Sequence, residues 1–170
     1  MNAAYQTGMA EDHVDRILAQ WTRERPDLDI GPMGLLGRLA RLSTYLGREV
    51  EKTFSQFGLS SASFDVLAAL RRSGPPYRLS PGDLLSTTMI TSGTMTNRID
   101  QLEKAGLVER LTNPEDRRSV LIALKPEGLA LVERTVTAHV ANQHRLTALL
   151  EPDERAALDR IARKYLAAFE

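Results

Sequence analysis

The side chains best suited to chemistry lie between positions 92 and 118, where amides, hydroxyls and arginines alternate with apolar residues. On a helical wheel Ile99 and Leu102 fall within about 40° of Met95, so these three residues should face a protein core. The opposite side and its flanks carry small or hydrogen-bonding residues: Gly93, Thr94, Thr96, Asn97, Asp100, Gln101 and Lys104. Such residues suit close approach to the base edges and phosphates of DNA. A plain solvated helix face is the alternative interpretation.

Two β-prone runs at 107–111 and 119–124 flank a polar tip at 112–118, which is the pattern of a β-hairpin. Arginines on such a tip can enter a DNA minor groove, and Asp116 can hold one of its two arginines while the other reaches out. A solvated charged turn would look the same. The predicted DNA-contacting residues are Ser92, Gly93, Thr94, Thr96, Asn97, Gln101, Lys104, Arg117 and Arg118.

Apolar periodicity and capping signals predict the helices that position these residues. The predicted ranges are about 11–25, 33–57, 61–72, 81–87, 92–105, 126–148 and 153–168. Ser80 is a helix cap, Pro81 suits a first helical position, and Gly106 closes the helix at 92–105. Two short helices joined by a turn through Thr88–Ile90 form a helix-turn-helix, and the hairpin after them is a wing. The predicted fold is therefore mainly α with a small β-hairpin wing.

The helix at 33–57 carries more apolar residues on one stripe than a small neighbour covers, which implies a partner helix. The stripe consists of Leu35, Leu39, Leu42, Leu46, Val50, Phe54 and Phe57. The last helix carries a similar set, namely Leu158, Ile161, Tyr165, Leu166 and Phe169.

The composition narrows the possible functions. The absence of cysteine excludes disulfides and thiolate zinc sites, which fits a cytoplasmic protein. The chain shows no membrane-spanning apolar run and no secretory signal. Its 22 basic and 22 acidic residues cancel, and residues 98–118 hold five of each sign. DNA binding therefore requires the two signs to be separated in space.

The sequence shows no catalytic pattern: it has no nucleophile–base pair, no glycine-rich phosphate loop and no paired-histidine zinc motif. His139 and His144 lie about 140° apart around a helix and cannot share a metal ion, and His13 is isolated. We expect no enzyme activity, no catalytic residue, no metal and no cofactor.

The segment 92–128 resembles the MarR family of multiple antibiotic resistance regulators. The matching motifs are Thr96-Asn97-Arg98, the run 102–110 and the run 113–119 with its Asp116-Arg117-Arg118 wing. The resemblance extends from about residue 33 to the end of the chain. It implies a homodimer joined through N- and C-terminal helices that binds a pseudo-palindromic DNA operator. Lys125 departs from the family pattern, which often has a capping Thr there.

Domain boundaries follow from this resemblance. Residues 11–57 would form the N-terminal helices, 58–124 the winged helix-turn-helix lobe and 125–170 the C-terminal dimerisation helices, within one compact chain.

A narrower resemblance concerns the urate-responsive subgroup, which is marked by a Trp, an Asp and two Arg. The matching residues are Trp21, Asp65, Arg98 and Arg110. The resemblance implies that Trp21 and Arg98 hold an anionic purine, while Asp65 and Arg110 relay its presence to the recognition helix. The wheel agrees in part, because it places Arg98 about 60° from the core centre, where its planar fork can reach an anion.

Structural roles are the alternative for these four residues. Trp21 can be packed core, Asp65 can be plain surface, and Arg98 and Arg110 can be ion-pair partners.

Together the patterns and the resemblance predict a dimeric, ligand-responsive repressor that an anionic aromatic effector such as urate releases from DNA. The alternatives are a regulator that responds to phenolic or other aromatic acids, and a dimeric interaction module without DNA binding.

Overall fold

The computed structural model describes residues 10–88, 92–116 and 118–170, with only the backbone of Ser92 and Gly93. The predicted positions 89, 90 and Arg117 lie outside the described residues. The chain divides into two compact units, with the boundary between Arg48 and Glu49. The three-part division proposed from the sequence stays a prediction.

The first unit contains helix α1 (His13–Glu24) and the first part of helix α2 (Gly31–Ser55). Asp12 caps α1, because its side chain accepts the backbone N–H groups of Val14 and Asp15. Arg38 on α2 ties the two helices together by ion pairs with Asp12, at 2.8 Å, and with Asp15. The start of α1 is therefore held both by its own cap and by a cation from α2.

The second unit holds the remaining helices, whose bounds follow the sequence prediction closely. They are α3 (Ser61–Arg72), α4 (Pro81–Thr87), α5 (Ser92–Lys104), α6 (Pro126–Thr147) and α7 (Pro152–Leu166). The last part of α2, from Glu49 onward, also belongs to this unit. Ser80 caps α4 in a reciprocal capping box with Asp83, as its sequence predicts. Gly106 adopts a φ of 72°, a left-handed conformation that favours glycine, and α5 ends just before it.

A three-stranded antiparallel sheet completes this unit in the order β1-β3-β2. The predicted hairpin is β2 (Val108–Thr112) paired with β3 (Val120–Leu124), and Val108 faces Leu124 in its register. Strand β1 (Arg78–Leu79) was not predicted from the sequence. It pairs with β3, so it anchors the segment that leads into α4 to the wing.

The core of the second unit lies around α3. Leu67 and Leu70 are completely buried, and Leu84 of α4 and Ile122 of β3 are buried beside them. Gly128 in α6 is also buried, and a Cβ there would lie 2.0 Å from the Leu107 carbonyl oxygen. No side chain fits in that space, so α6 can begin against the backbone that follows α5.

The apolar stripes predicted on α2 and α7 have a different outcome. Phe54 near the end of α2 is buried, but Leu35 at its start is 62% exposed. No residue of α7 is buried, and all five of its predicted apolar residues are exposed. Nothing among the described residues therefore buries the first part of the α2 stripe.

Candidate nucleic-acid interface

Helix α5 packs against the core on one side only. Met95, Ile99 and Leu102 are buried among the residues of α3 and α4, which confirms the core side assigned from the helical wheel. Because α4 starts at a capped Ser80 and buries Leu84, the two short helices are fixed on a single core. One side of α5 is thereby presented outward.

The outward side of α5 carries the residues predicted to contact DNA. Five of them are exposed: Thr94, Thr96, Asn97, Gln101 and Lys104. Ser92 and Gly93 are the first two residues of α5, and only their backbone is described. The amide of Gln101 donates from Nε2 to Oδ1 of Asn97 over 3.3 Å. The two amides thus form a connected pair at one helical turn, which can meet base edges or phosphates.

The acidic residues of α5 are engaged by one arginine. Arg110 on β2 forms ion pairs with Asp100 and Glu103 and donates its backbone N–H to Glu103. The hydrogen bond from Asp100, helped by Glu103, raises the pKa of the Arg110 guanidinium above its ordinary value. Arg110 therefore offsets one of these two negative charges, and it fastens the wing to the end of α5.

Hydrogen bonds order the tip of the wing. Asn113 donates from Nδ2 to the Ser119 hydroxyl over 2.9 Å, and its own side-chain oxygen accepts from the backbone N–H of Glu115. Asp116 accepts from the backbone N–H of Arg118 rather than holding the side chain of that arginine. Arg118 is exposed, and the predicted role of Arg117 lies outside the described residues.

Arg98 lies at the edge between the core side and the outward side of α5. Its Nη1 donates to the Ser63 hydroxyl on α3 over 3.2 Å and to Oε1 of Gln101 over 2.7 Å. Its Nε is buried and has no hydrogen-bond partner among the described residues. A buried donor of this kind is costly to leave unsatisfied.

The other residues of the predicted ligand set have different surroundings. The side chain of Asp65 on α3 is partly buried, with 19% of it exposed. Its Oδ1 lies 4.0 Å from Nη1 of Arg72. Trp21 belongs to α1 in the first unit and is 41% exposed, so this chain does not bury it in a core. Arg110 is the ion-pair partner that the alternative interpretation described.

Comparison with known proteins identifies the family. The model of the MarR family matches residues 57–119. The HTH-type transcriptional regulator PecS of Dickeya dadantii is 43% identical over 145 residues, which are 85% of this chain and 87% of PecS. This chain belongs to the MarR family. MarR of Escherichia coli K12 is also similar, with 32% identity over 77% of this chain and 90% of that protein.

Solved structures of MarR-family proteins share the fold. A mutant MarR from E. coli complexed with operator DNA matches with a TM-score of 0.68 and 28% identity, over 86% of this chain and 97% of that one. Bordetella bronchiseptica BpsR, whose DNA binding is regulated by 6-hydroxynicotinic acid, matches with a TM-score of 0.66 and 32% identity. That match covers 76% of this chain and 91% of BpsR. The chain is thus a MarR-type transcriptional regulator with a winged helix-turn-helix.

This membership confirms that the chain is not an enzyme, because the relatives named above are transcriptional regulators. Within the described ranges no group of three or more metal-ligating side chains occurs, and no helix there is long and apolar enough to cross a membrane.

Two contacts of this MarR-family site were missed from the sequence. Ser63, which meets Arg98, was not singled out from the sequence, because no local pattern links positions 35 residues apart. The contact between Arg98 and Gln101 had a signal, since a spacing of three residues brings two side chains together on a helix.

Proposed function

We propose that this MarR-family regulator is a dimeric, ligand-responsive repressor acting in the cytoplasm. In this proposal, α5 and the wing bind a pseudo-palindromic operator, and a small anionic aromatic molecule such as urate releases the protein from DNA. The observation that carries the proposal is the position of Arg98. A single side chain on the DNA-facing helix combines an unsatisfied buried donor with a hydrogen bond to an outward-facing amide.

DNA binding is supported by the outward side of α5. Its exposed amides, hydroxyls and Lys104 suit base edges and phosphates, and Arg118 on the wing suits a minor groove. The zero net charge of the chain opposes DNA binding less than the sequence alone suggests. Both acids of α5 are ion-paired with Arg110, which reduces their repulsion of phosphate.

Dimerisation is supported by apolar surface that each unit leaves exposed. In the first unit Leu35 and Leu42 of α2 are 62% and 46% exposed, and in the second unit Ile161 and Tyr165 of α7 are 60% and 51% exposed. Contiguous apolar surface on a small soluble protein usually marks an interface. A second copy of the chain satisfies the need of these helices for a partner and gives the two recognition helices that a pseudo-palindrome requires.

The proposed ligand site centres on Arg98. A planar anion can accept from its guanidinium fork. Asp65 and Arg110 would relay binding, since Arg110 holds the far end of α5 through Asp100 and Glu103. The ligand shifts the equilibrium only as far as it binds the DNA-released arrangement more tightly than the DNA-bound one.

Footprinting on the DNA upstream of the gene, with and without urate, tests the proposal. We expect protection that urate removes in the wild type. Arg98→Ala should still fold and bind DNA but should no longer respond to urate. A variant that still released DNA normally would contradict the assignment of Arg98. A footprint that urate does not change would reject urate alone, and the same assay with 6-hydroxynicotinic acid and phenolic acids would then examine the alternative ligands.

A dimeric interaction module without DNA binding is distinguished by salt. Each neutralised phosphate makes the logarithm of the binding constant fall with the logarithm of salt concentration at a slope of about 0.9. A steep slope supports operator binding through the wing and α5. The absence of any footprint at low salt would reject the DNA-binding function.

A further inference from the structure

Three polar side chains of α5 form a series of hydrogen bonds, and Arg98 is the donor at its start. Arg98 donates to Oε1 of Gln101 over 2.7 Å, and Gln101 donates from Nε2 to Oδ1 of Asn97 over 3.3 Å. Arg98 also donates to Ser63 of α3, which fixes the guanidinium from the core side. This hydrogen-bond series therefore runs from the core of the second unit to the outward side of α5.

The orientation of both amides follows from the chemistry of the guanidinium. Arginine has only donors, so the atom of Gln101 that faces it must be the amide oxygen. The nitrogen of Gln101 then lies at the other end and can only donate, so Asn97 must meet it with its own oxygen. The amide nitrogen of Asn97 takes part in no hydrogen bond among the described residues.

We propose that Arg98 determines base specificity by fixing Asn97 and Gln101 as hydrogen-bond donors toward DNA, so that they select guanine over adenine. An amide free to turn pairs with adenine through its oxygen and its nitrogen together. Here each oxygen already accepts a hydrogen bond from the neighbouring side chain. The nitrogen of Asn97 and the second N–H of Gln101 are left for acceptors. Guanine offers two acceptors in the major groove, O6 and N7, whereas adenine offers one acceptor beside a donor.

This inference rests on the proposed function, in which α5 contacts DNA, but it does not depend on the identity of the effector. Arg98 acts here as a positioning residue, because it touches the amides and not the base. A merely structural role for Arg98 would alter affinity for all operators alike. A positioning role alters the ratio of affinities between two operators that differ at one base pair.

The experiment begins by selecting an operator for the wild-type dimer from a randomised DNA duplex library. Dissociation constants are then measured for the selected operator and for versions with guanine replaced by adenine at each half-site position. We expect at least one position where the wild type favours guanine about fivefold or more. Arg98→Gln should reduce this ratio to about twofold or less, because glutamine can face Gln101 with either end. Arg98→Lys keeps a group that can only donate, so this variant should retain the preference for guanine.

Two further variants make the test independent of the folding of the Arg98 variants. Gln101→Met, at an exposed position, removes the hydrogen bonds between Arg98 and Asn97 through Gln101. It should lower the guanine-to-adenine affinity ratio while Arg98 is intact. Asn97→Asp replaces the outward NH2 with an acceptor and should move the preference toward bases with an amino group. Lys104→Met is the matched control on the same side of α5, and it should weaken all operators equally.

The outcomes separate this inference from the proposed function. A wild type that selects adenine at these positions, or an Arg98→Gln variant with an unchanged ratio, would overturn the inference and leave DNA binding intact. A library that yields no operator would overturn both. An operator that urate does not affect, with the guanine preference and its loss as expected, would reject the proposed ligand and support the role of Arg98.

Discussion

Helices α3 and α7 belong to the same unit and show the same kind of apolar stripe, but their surroundings differ. In α3, Leu67 and Leu70 are completely buried. In α7 no residue is buried, and Ile161 and Leu166 are 60% and 54% exposed. Periodicity predicts which side of a helix is apolar, but it does not indicate whether the same chain covers that side. The unit around α3 supplies that helix with a core, whereas nothing among the described residues buries the apolar side of α7.

The largest expected loss of stability comes from a substitution that creates a cavity in the core around α3. Leu70→Ala should lower the free energy of unfolding by about 2–5 kcal/mol, because a completely buried leucine leaves a space that the neighbours only partly fill. Chemical denaturation at a fixed protomer concentration measures the change. Leu149→Ala is the matched control, since Leu149 is 86% exposed and its loss should cost about 0.5 kcal/mol or less. Equal losses would contradict the contrast between covered and uncovered apolar residues.

A charge on α7 should separate the protomers without unfolding the lobe. Ile161→Glu places a carboxylate in the proposed dimer interface, and we expect the dimer dissociation constant to rise about 30-fold or more. Sedimentation equilibrium measures this constant, and circular dichroism checks the helices. Arg160→Glu, the exposed residue beside it, is the control for charge alone. A monomeric wild type, or an Ile161→Glu variant that stays dimeric, would show that this face is not the interface.

Most of the fold follows from local sequence signals. The helix ends at Ser80 and Gly106 were predictable because caps and glycines act on their immediate neighbours. Strand β1 was missed because two residues are too few to show alternation, and its pairing with β3 is decided about 40 residues further along the chain. The one element that was missed therefore depends on tertiary pairing, which local signals do not show.

The site was predictable only as far as one helix determines it. The wheel gave the buried side of α5 and placed Arg98 at its edge, both from spacing alone. It could not show that Arg110 would engage Asp100 and Glu103, because that pairing requires β2 to fold back beside α5. The pairing of these opposite charges is thus a product of tertiary structure.

Helices α4 and α6 offer a smaller contrast of the same kind, between a capped and an uncapped start. Both have a proline in the first turn, but Ser80 accepts from the Asp83 N–H whereas Lys125 makes no side-chain cap. Ser80→Ala should lower the free energy of unfolding by about 1 kcal/mol, and Lys125→Ser should raise it by about 0.5–1 kcal/mol. Thermal and denaturant unfolding would show both changes. A neutral Lys125→Ser would mean that other groups already satisfy the first turn of α6.

The smallest effect concerns the acid stability of α1. The hydrogen bond from Arg38, together with the backbone N–H groups of Asp15 and Val14, lowers the pKa of Asp12 from 3.8 to about 2. A depressed carboxyl pKa stabilises the folded state above the ordinary value, and this contribution disappears as the pH falls through the folded value. Asp12 should therefore hold α1 until the pH approaches about 2.

Carboxyl-carbon NMR of Asp12 measures this pKa directly, and the fluorescence of Trp21, the single tryptophan of the chain, reports on α1. Arg38→Met should move the pKa of Asp12 back toward its ordinary value and shift the Trp21 transition to higher pH, because the largest cause of the depression is removed. The effect should be modest, since Asp12 and Arg38 are both accessible to solvent, which screens their attraction. A wild-type Asp12 that titrates near 3.8 would show that Arg38 does not hold the start of α1 in solution.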